Sequence, residues 1–496
     1  MIIGPLQIVM ALVGVVVGIV FGAVPGMTAT MALAVFLPLT YAYDMITALY
    51  LLLGLYVGGI SGGLIPAILI NIPGTPSSLT TGFDGYPMAK RGEGERALKL
   101  GITVSFLGGL LSILVLALLT PQLARLARTF SAVEKFLIIL FALSVIVALS
   151  KGNMSKGLFA GFLGVLVKLI GYMSTNNKPR LLFPGTERLL RSGFQLLPVL
   201  IGLFAISMLL KEAEGGMKQG KAELMMSDKD ARKFRMKDIF PSQIVNIIRS
   251  AAIGCFMGIL PGVGGSAASL LAYSQAKTWS KHPEQFGSGI DDGLVASESS
   301  NNALTGGALV PLLSLGIPGD STTAVLVGAF MLQGIQVGPL FIQQNPDIWN
   351  AILVALVICN ILMFAVMYYP IKWIAQIVKI PKGRLYPVVL MMCVIGSFCT
   401  RSGVMFDVWS MLIFGVVAFV MAKFGFPTAP FLIGFILGGD LETYFIESLQ
   451  GSNGSLICFF NRPVAIVIWV MIVLFMGYSI WDNAKGKTME KAGMKD

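Results

Sequence analysis

Long stretches without a charged side chain alternate with short polar stretches along this 496-residue chain. A helix that crosses the hydrocarbon core of a bilayer needs about 20 apolar residues. Several charge-free runs have about this length: Leu100–Ala124, Ser192–Leu210, Ser250–Ala276, Ser299–Gly319, Ser321–Pro346, Ile348–Ile371 and Pro463–Trp481. The pattern therefore predicts helices that cross a membrane.

Three shorter charge-free runs, Phe136–Ser150, Val408–Ala422 and Phe424–Gly439, fit tilted or partial helices. We expect an all-α polytopic membrane protein with about ten to fourteen hydrophobic segments, some of them hairpins that do not cross. Composition agrees, because 55% of the residues are hydrophobic and only 12% are charged, whereas soluble domains carry about 25% charged residues. The five cysteines lie singly among apolar residues and are expected to serve packing.

The longest polar stretch, Lys211–Asp238, holds eight Lys or Arg and six Asp or Glu residues. It predicts a boundary between a first membrane repeat over residues 1–210 and a second over 239–482, with a tail over 483–496. By the positive-inside rule the linker 211–238 and the tail are cytoplasmic. The net charge of +11 is then a topology signal rather than a nucleic-acid surface.

Two ordered motifs occur once in each half of the chain. Residues 18–26 and 254–262 both read G-x3-G-x2-P-G, and residues 62–74 and 307–319 both hold two prolines seven apart, the second within Ile-Pro-Gly. Shared order and spacing indicate a duplication, which we expect to be an inverted repeat. Proline and glycine open a helix, and unpaired backbone is tolerated at membrane depth only inside protein or beside a water-filled cavity. Breaks at corresponding positions therefore predict a transporter's binding site.

Polar residues that suit the start of a helix follow both Ile-Pro-Gly motifs. Thr75 and Asp320 are good N-caps, and each restart is expected to present free N–H groups and hydroxyls that attract carboxylates. The predicted substrate-binding residues are Asn71, Pro73, Gly74, Thr75, Ser77, Ser78, Asn301, Asn302, Pro318, Gly319, Asp320, Ser321, Thr322 and Thr323. A coupling Na⁺ near Asn302 and Asp320 is a further hypothesis, and no catalytic residue or cofactor is predicted.

Simpler interpretations stay open for several of these features. Glycine rows in membrane helices often serve close packing alone. The run from Glu298 to Asn302 is either a helix cap at the membrane surface or a source of amides for the substrate or a coupling ion. Asp44, Asp407, Asp440, Glu442 and Glu447 are expected at segment ends, and His282 in a solvated loop.

The same motifs resemble the large membrane subunit of the tripartite tricarboxylate transporters, the TctA family. The likeness lies in residues 18–26, 71–78, 84–92, 280–287 and 298–319. The Asp-Gly-Tyr-Pro-Met-Ala-Lys loop from Asp84 and the Ser-Lys-His-Pro-Glu loop from Ser280 are its most specific parts, because general membrane physics would not produce them.

The resemblance implies a secondary transporter that takes up carboxylates such as citrate across a bacterial inner membrane by symport with Na⁺ or H⁺. It also implies a small TctB-like membrane subunit, a periplasmic TctC-like binding protein and an elevator-like movement. Asp320 departs from the small uncharged residues common in the family, so it either caps the helix or favours a cation. The alternatives are a passive channel and an exporter of another small organic anion; a membrane enzyme is not expected, because no catalytic motif is present.

Overall fold

The computed structural model describes residues 3–148, 154–173, 178–182, 184–216, 226, 233–401 and 403–491. The chain forms two compact units: unit 1 comprises Met1–Ala124 and Met208–Gly396, and unit 2 comprises Arg125–Ser207 and Ser397–Asp496. Each unit therefore draws on both halves of the sequence. Most of the predicted linker 211–238 and the last residues of the predicted tail lie outside the described residues.

Unit 1 holds both glycine–proline motifs and most of the helices. Its helices are α1 Pro5–Ala23, α2 Ala29–Phe36, α3 Met45–Gly62, α4 Leu64–Ile70, α5 Thr81–Lys90, α6 Gly94–Ala127, α10 Ser207–Glu214, α11 Ile244–Ile259, α12 Gly264–Trp279, α13 Asp291–Leu315, α14 Ser321–Leu332, α15 Phe341–Gln344, α16 Pro346–Tyr368, α17 Ile371–Ile374 and α18 Lys382–Cys399. Short 3-10 turns occupy Leu37–Ala42, Pro76–Ser78, Met236–Asp238, Pro283–Gln285 and Ala375–Lys379.

Unit 2 contains the remaining helices and a two-residue antiparallel strand pair. Its elements are α7 Ala132–Ala148, α8 Met154–Lys168, β1 Gly171–Tyr172, β2 Pro179–Arg180, α9 Leu196–Ile201 with a π-helical turn Gly202–Ile206, α19 Met405–Lys423, α20 Thr428–Gly451, a 3-10 turn Leu456–Phe459 and α21 Pro463–Lys491. In the strand pair, Gly171 is opposite Arg180.

Eight helical stretches among the described residues are long and apolar enough to cross a membrane, and four shorter apolar helices accompany them. The twelve together fall within the predicted ten to fourteen, so the all-α polytopic prediction is confirmed. Helix α13 is not among them although it is 25 residues long, because a polar run occupies its centre. Of the five free cysteines, four are buried and Cys399 is exposed.

The glycine rows bring equivalent helix pairs into backbone contact. A Cβ on Gly18 would lie 2.6 Å from the carbonyl oxygen of Leu55 on α3, and a Cβ on Gly254 of α11 would lie 2.3 Å from that of Ser300 on α13. Small residues permit this close approach between membrane helices. The packing interpretation of the rows is thus correct, and α1 pairs with α3 as α11 pairs with α13.

Candidate functional site

Unit 1 contains two broken helix pairs, α4 with α5 and α13 with α14, which are called the two hairpins below. The first helix of each pair ends through the same backbone pattern. Asn71 is the residue that caps the end of α4, and Gly316 caps the end of α13. Both residues have the left-handed conformation, with φ of 57° and 77° respectively. The next residue, an isoleucine in both, donates its backbone N–H to a proline carbonyl six residues earlier at 3.3 Å. This closure satisfies the last carbonyls of a helix. The predicted breaks are therefore real, and the exposed Asn71 has a backbone role in ending α4.

The glycine of each Ile-Pro-Gly lies directly against backbone from the earlier motif. A Cβ on Gly74 would lie 2.0 Å from the carbonyl oxygen of Gly22, and a Cβ on Gly319 would lie 2.6 Å from that of Gly258. The carbonyl of Gly319 also accepts the N–H of Gly262 at 2.7 Å. The two motifs of each half thus meet in space, although they are separated in sequence.

Both restarts carry a capping box, in which the first residue and the one three positions later bond to each other's backbone N–H. The first box joins Thr75 and Ser78, and in it the Thr75 N–H donates to Ser78 Oγ at 3.2 Å. Ser78 Oγ also donates to the Thr75 carbonyl at 2.8 Å. In the second, Asp320 Oδ1 accepts the Thr323 N–H at 2.7 Å, and Thr323 Oγ1 accepts the Asp320 N–H at 2.9 Å. Both N-cap predictions are confirmed.

The expectation of free N–H groups is wrong for Thr323 at the second restart, because Asp320 binds this N–H. At Asp320 the side chain itself occupies the start of α14, with the half-buried Ser321 as the first helical residue. After Thr75 the chain forms only the 3-10 turn Pro76–Ser78, and α5 begins at Thr81. Serine and threonine compete with the backbone for hydrogen bonds, which explains why no α-helix starts at Pro76. Ser78 and Thr323 are therefore capping residues.

Ser77 and Thr322, which immediately precede the capping residues Ser78 and Thr323, contact the opposite half of the sequence. A Cβ on Gly265, which follows the break in the second half, would lie 2.5 Å from the Ser77 Cβ and 3.2 Å from its Oγ. In the reciprocal position, the hydroxyls of Thr322 and Thr30 are 2.8 Å apart. Each restart thus packs on the segment that follows the proline–glycine break of the other half.

Asn301 and Asn302 lie in the middle of α13 and are buried. The helix-cap interpretation of their polar run is therefore wrong, because α13 begins at Asp291, about two turns earlier. Asn302 Nδ2 donates to Ser61 Oγ at 2.7 Å. Neither polar atom of the Asn301 amide makes a well-aligned hydrogen bond among the described residues, but the amide is a weak hydrogen-bond donor to the Glu298 carboxylate.

Asn301 and Ser77 approach the same point of unit 1. A Cβ on Gly265 would lie 3.5 Å from Asn301 Oδ1 as well as against Ser77, so both polar residues lie next to this glycine. Buried polar atoms in native proteins nearly always have a partner. The Asn301 amide departs from this rule, whereas the Ser77 hydroxyl lies 3.1 Å from Thr75 Oγ1 and bonds to it. Together the amide and the hydroxyl form the centre of the candidate site for a polar ligand. Pro73 is half-buried beside it and Pro318 is buried.

Sequence reasoning missed several residues of this region. Glu298 accepts hydrogen bonds from the hydroxyls of Thr81 and Ser105, the latter at 2.8 Å. Thr30 and Gly265 were not singled out either. For Thr30 and Gly265, the sequence feature that points to a role is the cluster of small and hydroxyl residues that follows each proline–glycine pair, over 28–30 and 264–266.

The segment from Asp84 was expected to be a loop, but it belongs to α5 despite Pro87. Tertiary contacts outweigh the proline: Asp84 Oδ1 accepts the N–H groups of Gly287, Gly289 and Ile290 at 2.8–3.0 Å, and Oδ2 accepts the Tyr273 hydroxyl at 2.9 Å. The two most specific segments of the resemblance therefore bind each other, and they fix the entry of the chain into α13.

The ionisable residues suspected at segment ends have ordinary structural roles where the structure describes their contacts. Asp44 caps α3, and the Thr47 hydroxyl that donates to it at 2.7 Å lowers the pKa of its carboxyl. Asp407 pairs with Arg401 and Glu442 pairs with Arg180. His282 lies in an exposed loop as predicted, with 62% of its side chain accessible.

A helical unit with two broken hairpins, joined by reciprocal contacts around buried polar groups, defines a multi-pass membrane protein of the transporter type. Comparison with known families agrees, because residues 8–433 match the model of the "Tripartite tricarboxylate transporter TctA family". The chain belongs to this family and is therefore a membrane component of a tripartite transporter.

Two relatives from Agrobacterium vitis extend the comparison. One, described as an uncharacterized 52.8 kDa protein in the TAR-I ttuC' 3' region, is 34% identical over 93% of this chain and 90% of its own length. The other, an uncharacterized protein in the TAR-II ttuC' 3' region, is 35% identical over 43% of this chain and 87% of its own length. No solved structure matches the chain.

Proposed function

We propose that this chain is the subunit of a secondary active transporter that takes up tricarboxylates or dicarboxylates across a bacterial inner membrane, driven by an ion gradient. A small membrane subunit and a periplasmic binding protein that delivers substrate complete the complex. The observation that carries the proposal is the buried Asn301 amide, which makes no well-aligned hydrogen bond among the described residues and lies next to Gly265 together with Ser77 from the other half.

A substrate carboxylate bound beside Asn301 and Ser77 would receive hydrogen bonds in place of its hydration shell. Ser77 Oγ is a donor, and Thr75 Oγ1 lies 3.1 Å from it, so a second hydroxyl is within reach. Asn301 has Oδ1 on the side of Gly265, and its Nδ2 donates to the substrate once the amide turns over. Hydrogen bonds to a charged group contribute about 1.5–3 kcal/mol each. Asn302 Oδ1, which has no partner among the described residues, and Asp320 remain our candidates for a Na⁺ that offsets the anionic charge.

The reciprocal contacts of the two restarts support an inverted repeat. Ser77 meets Gly265 and Thr322 meets Thr30, which is the pattern that a twofold axis between equivalent halves produces. Both hairpins belong to unit 1, so they would move as one body in an elevator-like cycle.

The competing functions are a passive channel and an exporter of another small organic anion. A channel would equilibrate substrate but could not concentrate it, and an exporter would move it outwards. Accumulation of labelled citrate or succinate inside energised cells, lost when the ion gradient is collapsed, would favour uptake over both. Equilibration without accumulation would favour the channel.

Alanine at Ser77 or Thr322 is expected to reduce carboxylate uptake about tenfold while the amount of protein in the membrane stays unchanged. Ser77→Ala removes a hydroxyl of the candidate site, and Thr322→Ala removes the corresponding hydroxyl of the second restart, which bonds to Thr30. Loss of one hydrogen bond to a charge has about this effect. Neither residue caps its turn, since Ser78 and Thr323 do so. Initial rates of citrate and succinate uptake measure the effect, normalised to protein in the membrane.

Thr278→Ala is a suitable control, because this threonine is exposed at the end of α12 and its hydroxyl bonds only to the Ser274 carbonyl among the described residues. It should transport like the wild-type protein. Wild-type uptake in both Ser77→Ala and Thr322→Ala would count against the site.

A further inference from the structure

Glu298 is a carboxylate in the centre of α13 that the proposed substrate site does not use. Its side chain is 0% exposed, and it is reached by hydroxyls from two different helices, Thr81 on α5 and Ser105 on α6. Apolar groups flank it: a Cβ on Gly101 would lie 3.7 Å from the Glu298 Cγ and 3.8 Å from side-chain atoms of Ile68 and Leu64.

No cation forms an ion pair with Glu298 among the described residues. The titratable and charged groups on the elements packed against α13 are Tyr50 and Tyr56 on α3, Asp84, Tyr86 and Lys90 on α5, Glu95, Arg96, Lys99 and Arg125 on α6, Arg249 and Cys255 on α11, Tyr273 and Lys277 on α12, and Asp320 at the N-cap of α14. Those whose contacts are described bind groups other than the Glu298 carboxylate. Asp84 and Tyr273 bind each other, Arg96 pairs with Glu93, Asp238 and Asp291, Lys99 pairs with Glu95, and Cys255 donates to the Ala303 carbonyl.

An ionised carboxylate in such a place is costly, because burial removes water and two hydroxyl donors replace it only in part. Uptake of one proton removes the charge. A carboxylate that alternates between these two forms is what a proton-coupled transporter needs at membrane depth.

We propose that Glu298 is the proton-binding site that couples transport to the proton gradient, an inference that rests on the proposed function. A proton from the outer side adds to one carboxylate oxygen and forms a neutral carboxylic acid. The O–H bond breaks when the site faces the cytoplasm, and the proton leaves to water there. No other bond is made or broken.

The position of Asn301 links this proton to the substrate. Asn301 lies three residues after Glu298, on the same face of α13, and its amide interacts with the carboxylate. Ionised Glu298 accepts hydrogen bonds only, so it attracts the Asn301 Nδ2. Protonated Glu298 is a donor, so it binds Asn301 Oδ1 and leaves Nδ2 to donate to a substrate carboxylate. Proton and substrate therefore stabilise each other's binding, as symport requires.

Infrared difference spectroscopy on the purified full-length protein tests the site without substrate. Between about pH 5 and pH 9, the range in which buried carboxyls titrate, the wild-type protein should gain the C=O stretch of a protonated carboxylic acid as pH falls. The band should be absent in Glu298→Gln and present in Glu284→Gln, whose glutamate is exposed in a loop. Ser105→Ala should keep the band at a changed frequency, because a hydrogen bond to the carboxyl is gone. This variant covers the case in which Glu298→Gln does not fold.

Transport assays in proteoliposomes with the companion subunits test the coupling. Glu298→Gln resembles the protonated form, so it should still exchange labelled for unlabelled citrate or succinate. Its rate of uptake driven by an imposed pH gradient should be at least tenfold lower than that of the wild-type protein. Uptake in Glu298→Gln that still follows the pH gradient would overturn the inference while leaving the proposed function intact. The inference would also be overturned if Na⁺ abolished the carboxylic-acid band of the infrared experiment at constant pH, or if no such band could be assigned to Glu298. A titrating Glu298 in a protein that moves neither acid would support the proton site but contradict the proposed carboxylate uptake.

Discussion

Replacing Gly74 by valine is expected to prevent the hairpin of the first half from forming. A Cβ at this position would lie 2.0 Å from the Gly22 carbonyl oxygen and 2.9 Å from the Gly63 Cα. Both are backbone atoms, one in α1 and one between α3 and α4, and they cannot rotate away, so the segment around Gly74 would have to move off them. Overpacking typically costs 1–3 kcal/mol, and we expect about 3 kcal/mol or more here. The measurement is the fraction of monodisperse protein after extraction in mild detergent, together with its thermal unfolding midpoint.

Gly383→Val provides a matched control, because a Cβ on this glycine of α18 meets no atom within 4 Å. It should extract and unfold like the wild-type protein. Gly319→Val, at the equivalent position of the second half, should behave like Gly74→Val. If Gly74→Val gave wild-type amounts of protein with an unchanged midpoint, the close approach of the two motifs described here would be incorrect.

Replacing Asp84 by alanine is expected to release the loop that precedes α13 and to destabilise unit 1. Three backbone N–H groups, those of Gly287, Gly289 and Ile290, and the Tyr273 hydroxyl would lose their acceptor. A buried polar group left unpaired costs about 1–3 kcal/mol, so a loss of roughly 4 kcal/mol is expected. Asp84→Asn, which keeps one acceptor oxygen, should lose less than Asp84→Ala.

Tryptic cleavage at the exposed Lys281 reports on this loop, and the thermal midpoint reports on stability. In Asp84→Ala, cleavage should be at least tenfold faster than in the wild-type protein. Glu284→Ala lies in the same loop with 66% of its side chain exposed and should change neither value. Equal cleavage rates in Asp84→Ala and the wild-type protein would show that Asp84 does not anchor the loop.

The sequence was sufficient to predict the parts of the fold that depend on local chemistry. Charge-free runs predicted the membrane helices, and the glycine–proline motifs predicted both breaks and their spacing. The caps at Thr75 and Asp320 follow from residue type and position. These features need only a few consecutive residues, so a single sequence contains them.

Features that depend on packing between distant segments were not predictable in this way. Nothing local to Ser77 indicates that it meets Gly265, and nothing local to Glu298 indicates that Thr81 and Ser105 donate to it. The error at Asp320 has the same origin. A cap can leave its first N–H groups to a ligand or bind them itself, and the side-chain rotamer that decides this depends on the surroundings.

The contact of each restart with the opposite half of the sequence also bears on how such a chain arises. With Ser77 resting on the second half and Thr322 on the first, a single-repeat ancestor folded in this manner would have left both surfaces bare. It would have needed another copy of itself to cover them. In such an ancestor the association would depend on two molecules meeting in the bilayer. A fusion of two copies would make it permanent and would leave each copy free to diverge.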